Sequence, residues 1–172
     1  PIIPETCEQA SEGKSTVGCR FYAVDMDAHD SVETQQYAVA VANVQLAATA
    51  NVVVEVKNAG VWSTVGGPQP IGPLQLFTFN LPDRHIDDSG LNPGGAYRVT
   101  SDIPVVAYQF NPVDGATSYL SDAAMLYPAA ALDTFNAEPR WRLALHRTSP
   151  NGWILVVAPE GKDPDAAVAA ID

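Results

Sequence analysis

Residues 51–65 run Asn51-Val52-Val53-Val54-Glu55-Val56-Lys57-Asn58-Ala59-Gly60-Val61-Trp62-Ser63-Thr64-Val65. Two short β-branched runs, 51–57 and 61–65, flank Asn58-Ala59-Gly60. Such a spacing predicts a β-hairpin, with Gly60 supplying the positive φ that a tight turn needs. Similar runs lie on either side, set off by Gly, Pro, Asn and Asp. Upstream are 17–25 and 36–45; downstream are 74–81, 96–101, 103–110, 141–147 and 153–158. In 36–45, Tyr37, Val39 and Val41 alternate with Ala38, Ala40 and Ala42, giving one large and one small face. In 74–81 the apolar residues fall on both parities, which predicts a bulge or a strand buried on both sides. Pro104 places the start of the 103–110 run at an edge or a first position.

Helical signals are few. Residues 128–133 suit a turn or two, and 164–170 suit either a short helix or a strand added to a sheet edge. Residues 66–73 and 82–95 have the composition of long loops. The pattern predicts an all-β fold, an antiparallel β-sandwich of Ig-like or jelly-roll-like type with little helix. The 172 residues suit a single domain, 1–172, with 137–172 as the start of a second β unit or as a docking tail.

Hydrophobic residues make up 47% of the chain, so it can build a core. Lys plus Arg number 9 against 20 Asp plus Glu, a formal net charge of -11. That charge repels a phosphate backbone and an anionic bilayer alike, which argues against nucleic-acid or membrane-surface partners. No apolar stretch reaches the roughly 20 residues of a membrane span. The start Pro1-Ile2-Ile3-Pro4 reads as a processed or truncated end. Cys7 and Cys19 enclose a polar, glycine-containing segment, and a disulfide between them suits an oxidising compartment. Two reduced, buried thiols are the alternative. No Asn-x-Ser/Thr sequon occurs.

Chemical motifs are sparse. Gly13-Lys14-Ser15 resembles the end of a phosphate-binding loop, but the first glycine of that motif is replaced by Glu8. No Gly-x-Ser-x-Gly elbow exists, and His29, His85 and His146 sit in separate neighbourhoods. Asp25, Asp27 and Asp30 form the densest acidic group, with Asp87 and Asp88 a second pair. Carboxylates so placed could hold Ca²⁺, a hard ion that takes six to eight oxygens. They equally suit a strand end, bonding turn amides. Trp62, one residue beyond the hairpin glycine, is a candidate ligand-stacking aromatic. Tyr108, Gln109, Asn111 and Asp122 lie among apolar neighbours and call for a structural hydrogen-bond network.

Four stretches together resemble the IgGFc-binding protein N-terminal-type domain. They are 17–27 (VGCRFYAVDMD), 37–43 (YAVAVAN), 96–112 (AYRVTSDIPVVAYQFNP) and 118–128 (SYLSDAAMLYP). The order and spacing of the resemblance cover about residues 15–160, and the Ala-rich, acidic composition looks bacterial. The resemblance implies an extracellular or cell-surface, non-catalytic β module, and it maps no catalytic residue here. The resulting expectation is a structural or adhesive module that acts by protein–protein contact and self-associates. The alternative is a glycan-binding module using Trp62 and, with the acidic group, calcium.

Overall fold

A computed structural model describes residues 3–26, 34–85, 94–114 and 121–132. These lie in one unit, Pro1–Leu132. Half of the structure is antiparallel strand, as the sequence pattern predicts. The elements in chain order are α1 (Cys7–Glu12), β1 (Gly18–Ala23), β2 (Ala38–Asn43), β3 (Ala50–Asn58), β4 (Val61–Ile71), β5 (Leu76–Asn80), β6 (Tyr97–Phe110) and β7 (Ala123–Met125). A 3₁₀ turn at Ala129–Ala131 follows, within the short helical stretch expected at 128–133. The expected strands at 141–147 and 153–158, the tail 164–170 and residues 137–172 as a whole lie outside the described residues.

The hairpin forms as expected. Asn58 pairs with Val61, and Ala59 and Gly60 both take positive φ, 48° and 84°. Two central residues in that region define the primed turn whose twist matches right-handed strands. β4 then runs to Ile71, through the Gly-Pro-rich segment expected to be loop. It does so by two register shifts against β3, between Val52 and Val54 and between Val54 and Glu55. The first shift leaves Gly67 and Pro68 outside the ladder, while Pro70 pairs in register with Asn51 near the end of the strand.

β6 is the spine. Its first half pairs with β3 on one edge and β1 on the other; its second half pairs with β2 and β7. The two runs expected at 96–101 and 103–110 are therefore one strand with a bend between them. β1 advances from Gly18 to Arg20 while its partner advances from Val105 to Thr100. Ile103 and Pro104 fall in that gap, so the missing Pro104 N–H breaks no ladder bond.

The main path is β4-β3-β6-β2-β5, curled into a half-barrel. The core fills its concave side, with Val39, Val52, Val54, Val99 and Val105 fully buried. Opposite ends of the path meet inside it: a β-carbon at Gly66 of β4 would stand 2.9 Å from the Phe79 ring of β5. β2 shows the two-faced pattern read from sequence. Tyr37, Val39 and Val41 join the core, and Ala38 and Ala40 are buried on the other face. The mixed parity of 74–81 has another cause than a bulge. Leu74 lies in a turn at φ 56°, and the strand proper, 76–80, pairs with β2 in unbroken register with Phe79 buried.

The helix α1 was not expected from periodicity. It is six residues long and is held by a capping box, with Thr6 Oγ1 accepting from the Gln9 N–H and Gln9 Oε1 accepting from the Thr6 N–H. Cys7 and Cys19 form the expected disulfide and pin α1 to β1. Closing a loop with a sequence separation of 12 is worth about 3 kcal/mol in the chain-entropy model.

Candidate functional site

Asp25 follows the end of β1 and is 2% exposed. Its Oδ2 accepts the Arg84 backbone N–H at 2.9 Å. Burial pushes its carboxyl above the usual range, against the pull of that hydrogen bond; Asp83 raises it further and His85 lowers it. The carboxylate thus serves the strand-end role weighed in the sequence. Asp27, Asp30, His29, Asp87 and Asp88 lie outside the described residues. Among the described residues no group of three or more His, Cys, Asp or Glu is placed to hold a metal ion.

Around Asp25 the sheet gathers a buried polar corner. Tyr37 and Tyr97 stack there, and the hydroxyl of Tyr97 donates to the Pro82 carbonyl. Tyr37 donates to Gln109 Oε1 at 3.2 Å, which also accepts the Val24 N–H. Burial raises both phenols, with the nearby Asp25 charge as the next cause, so they stay protonated donors at neutral pH. Arg84 donates from Nη2 to the Gly94 carbonyl at 2.7 Å. Asp25, Gln109, Tyr97 and Arg84 each bond backbone of another segment, and Tyr37 bonds the Gln109 side chain, so the corner ties β1, β2 and β6 together.

The network expected at 108–122 forms in part. Asn111 Nδ2 donates to the Met26 carbonyl and Asn111 N–H to the Asp122 carbonyl, both within 2.9 Å. Asp122 Oδ1 accepts the Ala123 N–H at the start of β7. Tyr108 instead stands on the convex face, opposite Ala40 and Met125. Two polar anchors were missed. Asn43 Nδ2 donates to the Ala48 and Ile71 carbonyls, and Gln45 Nε2 to those of Pro4 and Pro104. Their sequence signal was a polar pair closing an apolar strand, ahead of a turn.

His85 and Asp83 pair at 2.6 Å between Nδ1 and Oδ1, on the surface side of this corner. Hydrogen bonds from His85 hold the Asp83 carboxyl below its usual range.

Trp62 is half-buried on the convex side of the hairpin. The Arg98 guanidinium lies 3.9 Å from its ring centroid, and the Lys57 ammonium 5.5 Å. Arg98 is itself held by Glu55 Oε2, through Nε at 3.0 Å and Nη2 at 2.9 Å. The ring is thus part of a cross-strand stack.

A groove of about 420 Å³ runs beside the disulfide, between α1, β1 and the 3₁₀ turn. Ser101 Oγ is buried beside it and has no hydrogen-bond partner among the described residues.

Comparison with known proteins gives no matching family model, no matching curated protein and no matching solved structure.

Proposed function

We propose that the chain is an extracellular or cell-surface structural module that acts by protein–protein contact and self-associates. The observation that carries this reading is the open half-barrel. β4 and β5 end the sheet path, and among the described residues neither pairs with a further strand. Unpaired edges present rows of N–H and C=O groups that another chain can complete. The disulfide is compatible with an oxidising, extracellular setting. The resemblance to the IgGFc-binding protein N-terminal-type domain supports the same reading, and a bacterial source is part of the proposal. The two-layer sandwich read from the sequence belongs to this proposal too.

The buried polar corner supports a non-catalytic role, because Asp25, Tyr97 and Gln109 each bond backbone there. Arg98 over Trp62 occupies ring surface that a sugar would stack on. Protein contact therefore accounts for the surface better than the glycan-binding alternative. Electron microscopy of an untreated native preparation tests the reading. Filaments, lattices or discrete oligomers are expected, and dispersed monomers would overturn it.

A further inference from the structure

Residues 58–82 contain no Asp, Glu, Lys, Arg or His, in a chain that is 17% charged overall. This stretch is β4, the turn after it, and β5: the two terminal strands of the curled path. Natural sheets blunt such edges with charges, prolines and bulges, or by keeping them very short. The other strands flanking β6 follow that rule, since β1 carries Arg20 and β7 has three residues. β5 does not.

Two leucines at the β5 end of this stretch are turned outward. Leu76 is 59% exposed, and Leu74, in the turn before β5, is 68% exposed. Leu74 holds φ at 56°, a conformation that disfavours a branched side chain by about 1 kcal/mol. The turn Gly72–Gln75, closed by the Gln75 N–H to the Gly72 carbonyl at 3.1 Å, keeps it there. Strain that holds a leucine in water at a sheet edge is a feature with a cost and no return within the described fold.

The ladder fixes which groups face outward. The Asn43 N–H bonds the Gln75 carbonyl and the Leu81 N–H bonds the Tyr37 carbonyl. Odd-numbered residues of β5 therefore bond β2, and Leu76, Thr78 and Asn80 turn their N–H and C=O groups to the edge that no described strand pairs with.

We infer that the β5 edge is the site at which a second copy of this chain adds, strand to strand and antiparallel, with Leu74 and Leu76 packed across the join. The charge argues for a second copy. Two chains of net charge -11 repel, and they can approach closely only where neither carries charge. A basic partner would gain nothing from this stretch and much from the acidic remainder. Antiparallel pairing of β5 with itself is a twofold, self-complementary contact.

This inference rests on the self-association reading, and the two can be separated by sedimentation velocity of the full chain. The variants are Thr78→Pro, Leu76→Lys and the surface control Ser11→Lys. Thr78→Pro removes an outward N–H that β2 does not use, and Leu76→Lys places a charge at the edge. The expected result is an associating wild type and Ser11→Lys. Both edge variants should associate at least about tenfold more weakly, a change of about 1.4 kcal/mol, with unchanged circular dichroism. Should one edge variant fail to fold, the other decides. Association of folded edge variants equal to wild type would overturn the β5 site and leave self-association standing. A wild type that stays monomeric would overturn both.

Discussion

Tyr37 and Tyr97 stack with ring centroids 5.5 Å apart and planes inclined by 15°. Both are at most 1% exposed. Their hydroxyls diverge, one to Gln109 and one to the Pro82 carbonyl. The pair therefore joins the entry to β2, the start of β6 and the segment leaving β5.

Truncating either ring should destabilise the domain strongly. Tyr97→Ala is expected to cost about 3–5 kcal/mol in urea unfolding, as for other large buried aromatics. Tyr→Phe at either position removes one hydrogen bond and should cost about 1 kcal/mol. A double-mutant cycle between the two rings should give a coupling of about 0.5–1.5 kcal/mol. Strict additivity would show that the stack contributes nothing beyond burial.

Asp25 predicts a pH signature. Its folded-state pKa lies above the unfolded value of 3.8, because burial outweighs the Arg84 hydrogen bond. The folded state thus binds the proton more tightly. Its contribution to stability is fullest below pH 3.8 and falls as pH rises through the raised folded value. Asp25→Asn keeps an acceptor for the Arg84 N–H and does not ionise. Its stability relative to wild type should therefore rise with pH above 3.8 and then level off. A pH-independent difference would contradict the assignment. Asp25→Ala, which leaves the amide without its acceptor, should cost about 1–3 kcal/mol.

Reducing the Cys7–Cys19 bond should release α1 from β1. The expected loss is about 3 kcal/mol, read as a lowered melting temperature in a strong reductant. Cys7→Ser/Cys19→Ser should match the reduced protein. Equal stability of the oxidised and reduced forms would show that α1 contributes little to the sheet.

Self-association should respond to salt in a particular direction. The proposed contact is uncharged, while the chains around it repel. Raising ionic strength from about 0.01 M to 0.15 M shortens the screening length from about 30 Å to 8 Å and should strengthen association. Weakening by salt would indicate a contact made through ion pairs.

The sequence made the hairpin at 58–60 and the two-faced β2 legible because each rests on local rules: turn stereochemistry and a period of two. The extension of β4 to Ile71 was hidden because Gly66, Gly67, Pro68 and Pro70 carry a loop composition. A register shift against β3 takes up Gly67 and Pro68, while Gly66 and Pro70 pair with Val54 and Asn51. β6 looked like two strands because Pro104 interrupts it, and the bulge that tolerates Pro104 is a tertiary feature. The helix α1 did have a local signal, Thr6 three residues before Gln9, which is the capping-box pattern. Of the candidate site residues, Asp25 could be placed at a strand end from sequence. Its partners could not, since Arg84 and Tyr97 lie 59 and 72 positions away along the chain.

The central claim is that this chain works by contact with further copies through an open, uncharged sheet edge. Sedimentation velocity of the unmodified full chain over a wide concentration range, at physiological salt, tests it most directly. The account predicts a sedimentation coefficient that rises with concentration, and loss of that rise in Leu76→Lys. A single monomeric species at every concentration would contradict it.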